Sequence, residues 1–193
     1  MKRVAVFCGS AVGVNPAHAE AARAFARELS RRGLGLVYGG GSVGIMGVLA
    51  DAALALGVEV DGVIPRHLEE RELGHAGCTR LHVVGSMHER KALMADLSDG
   101  FVALPGGIGT LEELFEVYTW GQLGLHDKPV ALLDIDGYYA HLVAFLDHSV
   151  AEGFLRREHR SFLLSGTEPG AVLDAMAVWT PPTVHKWMER PQR

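Results

Sequence analysis

Cysteine is scarce. The 193 residues contain two, Cys8 and Cys78, far apart and in neither a C-x-x-C nor a zinc-site spacing. No secretory leader is evident, since Lys2-Arg3 runs straight into a strand pattern, so these thiols predict a reducing, cytoplasmic setting. Apolar runs of transmembrane length are absent, which predicts no membrane span. Basic residues are in deficit: 18 Lys and Arg against 23 Asp and Glu give a net charge of −5. That balance argues against nucleic-acid and membrane-surface partners. It leaves room for a small phosphorylated ligand held by one or two cations. Aromatics make up 7%, and Trp120, Trp179 and Trp187 are too dispersed for a base-stacking platform. The ten histidines form no H-E-x-x-H or other ligand set, so no metal is expected. Ser10 and Ser42 follow glycines; Ser10 lies outside any G-x-S-x-G, and Ser42 meets only the bare spacing, Gly40-Gly41-Ser42-Val43-Gly44, inside a glycine run, so a hydrolase elbow is not the favoured reading.

What remains is a chain that is 48% hydrophobic with a mean hydropathy of +0.15, suited to a buried parallel sheet or an oligomer interface. Strand and helix patterns alternate. "RVAVFCGS", "LGLVYGGG", "VEVDGVIP", "RLHVV", "GFVALPGG", "KPVALLD" and a short "SFLLSG" read as strands. Helices are predicted between them, the first with Asn15 as N-cap, Pro16 as first residue and Gly33 as stop. A second spans "VLADAALALG", a third "SMHERKALMADLSD", a fourth Thr110 to about Gly121. A long one covers "YYAHLVAFLDHSVAEGF" and a last one "PGAVLDAMAVW". This order predicts a single α/β domain over residues 1–180, a Rossmann-like doubly wound parallel sheet with helices on both faces. Residues 181–193 read as an irregular tail. Ligands of such sheets bind beyond the carboxyl ends of the strands. Four turns lie there: "CGS", "GGGSVG", "GSMHERK" and "LPGGIGT".

A glycine-rich turn that opens a helix offers backbone N–H groups and the positive end of the helix dipole. "GGGSVGIMG" and "PGGIGT" both have that form, but no Lys-Ser/Thr pair follows, so neither is a Walker A loop. Gly39-x-Gly41-x-x-Gly44 fits the bare dinucleotide pattern, with Glu59 or Asp61 as its acidic partner, though neither stands in the usual place. One such loop can be a mere tight turn. Two on one sheet edge, with a cationic helix start between them in sequence, favour a phosphate site. Ser10 and Gly41, in the first two turns, are placed in that site.

The cationic start is "SMHERK". Ser86 and Glu89 form a capping box, which puts Arg90 and Lys91 in the first two turns. Cations there oppose the dipole, so their position suggests anion recognition. Met87 and Met94 share this helix. Methionines there are more often core, but Met87, at the start, is placed with the substrate contacts. "TLEE" is ambiguous: Thr110 with Glu113 is also a capping box, so Glu113 is read as a cap or a functional carboxylate. Glu112, Glu116 and Thr119 fall on one polar strip of the same helix.

Taken together, "YGGGSVGIMG", "SMHERKALM" and "PGGIGTLEE" resemble the Lonely Guy (LOG) family, and the likeness continues through "TWGQLGLHDKPVALLDIDGYY". Its members hydrolyse the N-glycosidic bond of adenine nucleoside 5′-monophosphates, often N6-modified, including AMP. They release the base and ribose 5-phosphate and are typically homodimers. They were long labelled lysine decarboxylases, a label for which no pyridoxal-phosphate motif speaks here; no cofactor is implied. By the resemblance Arg90 and Glu113 are the catalytic pair. It implies that Lys91, Gly106, Gly107, Gly109 and Thr110 bind the nucleotide, and that Glu72 and Thr119 contact substrate. Ile108 stands where many plant members carry an aromatic residue. A carboxylate beside an anion-binding loop then makes sense, because bond cleavage gives the ribose oxocarbenium character. Two other readings remain open from the residues: a non-catalytic nucleotide sensor or carrier on a related fold, and a nicotinamide-dependent oxidoreductase.

Overall fold

The computed structural model describes residues 1–70 and 74–182. Seven strands form one parallel sheet: β1 (Arg3–Phe7), β2 (Gly35–Tyr38), β3 (Val60–Pro65), β4 (Arg80–Val84), β5 (Phe101–Ala103), β6 (Val130–Leu133) and β7 (Leu163–Gly166). Their order across the sheet is β4-β3-β2-β1-β5-β6-β7, with every pairing parallel. Eight helices accompany them among the described residues: α1 (Pro16–Arg32), α2 (Gly44–Ala55), α3 (Arg66–Glu69), α4 (Met87–Leu97), α5 (Ile108–Gln122), α6 (Ala140–Ala151), α7 (Arg157–Arg160) and α8 (Pro169–Val178). The doubly wound α/β architecture is the one expected from the sequence; α3 and α7, one turn each, are too short to carry a periodic signal.

Alternation along each strand divides the core in two. Val4, Val6, Leu36, Tyr38, Val102, Leu104, Ala131 and Leu133 point to the face covered by α1, α2 and α8. Ala5, Phe7, Val37, Phe101, Ala103, Val130 and Leu132 point to the face covered by α4, α5 and α6. Both faces are dry, which is why the strands read as continuous apolar runs. On α1, Phe25 and Leu29 are wholly buried, each contributing about 1.5–3 kcal/mol by burial.

Local signals set several helix ends. The Asn15 side chain accepts from the Ala17 amide at 3.0 Å, Pro16 is the first helical residue, and Gly33 closes α1 at φ 63°. The Ser86 hydroxyl accepts from the Glu89 amide at 3.1 Å, and the Glu89 carboxylate reaches back to the Gly85 amide at 2.7 Å, one residue before the cap. α2 begins at Gly44, four residues before the expected "VLAD", so the glycine run supplies its first turn. Glu72, Trp187 and residues 183–193 of the expected tail lie outside the described residues.

Candidate active site

The sheet order places a topological switch between β1 and β5. From β1 the chain builds outward through β2, β3 and β4, then returns to lay β5 on the other side of β1. The turns after β1 and β5 therefore diverge to opposite faces and open a crevice at the carboxyl edge. The Gly9 amide donates to the Pro105 carbonyl at 3.1 Å, and the Met46 amide to the Gly9 carbonyl at 3.3 Å. Three of the four expected turns are thus tied to one another, and α4 brings in the fourth.

Arg90 crosses from α4 to α5. Its Nη1 lies 3.0 Å from Glu113 Oε1, with both side chains about nine-tenths buried. The rest of its fork is anchored on backbone: Nε donates to the Val63 carbonyl at 3.1 Å and Nη2 to the Gly39 carbonyl at 3.4 Å. Met87 Sδ stands 4.0 Å from Nη1. Gly39 has a reason of its own here. A methyl group at Gly39 would occupy the place of Arg90 Nη2, so the glycine makes room for the guanidinium. Burial pushes the Glu113 carboxyl above the usual carboxylate range, with Arg90 pulling it back down. Cys8 is buried in the core; burial, and then the charge of Glu113, push its thiol up, with Arg90 pulling it back.

This placement corrects the reading of Glu113 as a cap. α5 starts at Ile108 with Gly107 as N-cap, so Glu113 is well inside the helix and accepts no capping bond. Its neighbours on the helix turn elsewhere. Lys91 Nζ is 2.5 Å from Glu112 Oε1 and 3.0 Å from Glu116 Oε2, and the lysine is 9% exposed. Two carboxylates thus neutralise the cation that the sequence suggested for an anion. Glu112, Glu116 and Thr119 share an outer groove of α5 with Ile108, Leu111, Phe115 and Trp120. Thr119 therefore stands about three turns from the start of α5, apart from the lining of the crevice.

The crevice itself is a cavity of about 360 Å³ lined by the β1–α1 turn from Gly9 to Val14, with His18, Ile45, Pro105, Gly106, Gly107 and Tyr138. α2 and α5 both begin at it, and neither start has a side-chain cap bond, whereas α1 and α4 are capped by Asn15 and Ser86. Uncapped helix starts leave N–H donors free for an anion. Nothing lies within 4 Å of where a side chain would extend from Gly107 or Gly109. Their missing side chains leave open space beside the α5 start that the fold does not itself use.

The expected residues thus fall into groups. Arg90, Glu113 and Met87 meet; Ser10, Gly106 and Gly107 line the cavity; Gly109 is exposed on the first turn of α5. Thr110 is buried, its hydroxyl packed under Gly106. Gly41 is buried and bridges to Gly74, a backbone role. Glu59 and Asp61 belong to the other end of the sheet. Asp61, 1% exposed, binds Arg80 at 2.6 and 3.0 Å and His82 at 3.0 Å at the start of β3. Neither acid can serve a dinucleotide ribose at the glycine turns, which removes that expectation. Sequence reasoning passed over His18, Gly39 as a spacer, and Tyr138 and Tyr139. The two tyrosines directly after Asp136-Gly137, at the carboxyl edge of β6, were the available sign.

Residues 46–176 match the family model described as "Possible lysine decarboxylase". The chain is 48% identical over 178 residues to the "Probable cytokinin riboside 5'-monophosphate phosphoribohydrolase" of Oryza sativa subsp. japonica, covering 92% of this chain and 80% of that protein. It is 47% identical over 180 residues to a cytokinin riboside 5'-monophosphate phosphoribohydrolase of Arabidopsis thaliana, covering 93% and 79%. Among solved structures, the molybdenum cofactor binding protein of Rippkaea orientalis superimposes with a TM-score of 0.69 at 19% identity, covering 92% and 96% of the two chains. At that identity the likeness is one of fold alone. With its match to the family model and nearly half its residues shared with named members over more than nine-tenths of its own length and about four-fifths of theirs, this chain belongs to the Lonely Guy (LOG) family.

Proposed function

We propose that this chain hydrolyses the N-glycosidic bond of adenine nucleoside 5′-monophosphates, N6-modified cytokinin-type nucleotides and AMP among them. The observation that carries the reading is the buried Arg90–Glu113 pair, 3.0 Å apart, beside two uncapped helix starts at one sheet edge. In this reading the 5′-phosphate lies in the cavity against Ser10, Gly106, Gly107, Gly109 and the α2 and α5 starts. The Glu113 carboxylate faces the anomeric carbon. As the C1′–N9 bond breaks, its electron pair leaves with the purine and the ribose becomes oxocarbenium-like. Glu113 stabilises that charge and takes a proton from the attacking water. Water supplies the new C1′–O bond, and the proton that Glu113 takes from it passes on to the departing purine, which leaves as the neutral base and returns Glu113 to its carboxylate. Arg90, held by two backbone carbonyls, fixes Glu113 in place and sets how readily it ionises. The carrier reading draws on fold likeness alone; no geometric observation favours it over catalysis.

Further parts of the reading concern assembly and place. The outer face of α5 exposes Ile108 and half-exposes Leu111, Phe115 and Trp120, which supports a homodimer formed through that face. Free thiols at Cys8 and Cys78 fit a cytoplasmic setting. No helix among the described residues is long and apolar enough to cross a membrane.

The decisive experiment incubates the purified chain with AMP, N6-isopentenyl-AMP and the corresponding nucleosides, then separates free base by chromatography. Base release from the monophosphates, with kcat/KM lower by orders of magnitude for the nucleosides, is the expected result. Binding without base release would favour the carrier reading. Equal efficiency on nucleoside and nucleotide would refute the phosphate site. Light scattering that finds a monomer at micromolar concentration would refute the dimer.

A further inference from the structure

Tyr138 and Tyr139 follow Gly137 in the turn between β6 and α6, and both hydroxyls reach the turn between β5 and α5. Tyr139, buried, donates to the Leu104 carbonyl at 2.7 Å. Tyr138, 45% exposed, donates to the Gly106 carbonyl at 2.5 Å. The turn that carries them is itself fixed. The Asp134 carboxylate accepts from the Tyr139 amide at 2.7 Å. Asp136, at φ 52° the one non-glycine residue with positive φ among the described residues, accepts from Asn15 Nδ2 at 2.8 Å. His18, in the first turn of α1, stands edge-on to the Tyr138 ring with centroids 5.4 Å apart. Tyr138, His18, Gly106 and Gly107 all line the cavity.

Packing accounts for Tyr139, because a buried phenol needs an acceptor. It does not account for the Tyr138 hydroxyl, which water could satisfy. What that bond fixes is the peptide joining Gly106 to Gly107. The unit is planar and trans, so its N–H points opposite to its carbonyl. While the carbonyl is held on Tyr138, the Gly107 N–H is directed away from the tyrosine. With glycine on both sides, rotation of this peptide would otherwise be cheap. A rotated peptide would turn its carbonyl oxygen, a partial negative charge, towards a bound anion.

We propose that Tyr138 is a positioning residue for the phosphate end of the substrate. Its hydroxyl locks the 106–107 peptide so that the α5 start presents N–H groups to the 5′-phosphate. This rests on the reading of the cavity as a phosphate site, and it confines the role of Tyr138 to ligands that carry phosphate. A purely structural tyrosine would affect all ligands alike.

The test compares the parent with Tyr138→Phe. Calorimetry measures the Kd of ribose 5-phosphate and of N6-isopentenyladenine, and thermal melting monitors the fold. Loss of one hydrogen bond that orients a charge-assisted contact should weaken ribose 5-phosphate about tenfold. Affinity for the free base and the Tm should stay as in the parent. A second variant, Gly107→Pro, deletes the N–H itself at a position with φ −90° and open surroundings. It should show the same phosphate-selective loss. Unchanged ribose 5-phosphate affinity in either variant, or an equal loss for the base, would overturn the proposal. These readouts need no turnover, so a parent that releases no base from AMP would sink the hydrolase reading separately.

Discussion

Replacing Glu113 by glutamine separates the chemistry of the carboxylate from its packing. The side chain is 10% exposed and 3.0 Å from Arg90. Removing one partner of a buried ion pair typically costs about 3–5 kcal/mol, because the other charge is left uncompensated. Two features reduce that cost here. Glutamine keeps an oxygen that accepts from Nη1, and Arg90 retains its bonds to the Val63 and Gly39 carbonyls. The burial that raises the Glu113 pKa shows that the carboxylate also carries a desolvation cost, which glutamine removes. The net loss should be within about 1–2 kcal/mol, or roughly 2–8 °C in Tm for a chain of this size. Activity should fall far more, about a hundred- to ten-thousand-fold, since glutamine can neither take a proton nor face a cation with charge. Base release from AMP followed by chromatography, AMP binding by calorimetry and Tm by scanning calorimetry check the three parts. A variant with retained binding and turnover near the parent's would refute the assignment of Glu113 to the chemistry. Glu112→Gln should do less damage, because Glu116 also holds Lys91.

Since the raised Glu113 pKa makes the ionised form appear only above the usual carboxylate range, kcat/KM should fall on acidification at a pH above that of an ordinary glutamate. The stability sign is opposite: the protonated form favours the fold, a contribution present below the unfolded-state pKa and lost as pH rises through the folded one, so the Tm gap should move in favour of Glu113→Gln with rising pH. A gap independent of pH between 4 and 8 would refute it. Gly109→Ala, in open space on a helix, should leave stability in urea unfolding equal or higher by about 0.5–1 kcal/mol, yet weaken ribose 5-phosphate binding measured by calorimetry. Asp61→Ala removes a buried acceptor of Arg80 and His82 at the far end of the sheet, but the exposed Arg80 keeps Glu59 at 3.0 Å, so the loss in urea unfolding should be about 1–3 kcal/mol with kcat per folded molecule unchanged.

The sequence by itself determined what local chemistry controls. Asn15, Pro16 and Gly33 bound α1 because a cap, a fixed φ and a left-handed turn act within a few residues. Alternating apolar strands and helices led to a doubly wound sheet, and the glycine turns fell at its carboxyl edge as that fold requires. Ser86 and Glu89 marked the start of α4, and with it the height of Arg90. The tertiary structure decided the partnerships. "TLEE" reads equally well as a cap or as a site, and only a helix start two residues before Thr110 turned Glu113 inward to Arg90. Lys91 looked like an anion ligand until α5 brought Glu112 and Glu116 against it. Gly39 looked like part of a phosphate loop, but Arg90, 51 residues away, fills the space beside it. Asp61 and the tyrosines at 138 and 139 gave no local sign of their partners. The reason is common to all of these: a side chain's partner across a sheet edge depends on strand order and helix phase, and no short window of sequence contains either.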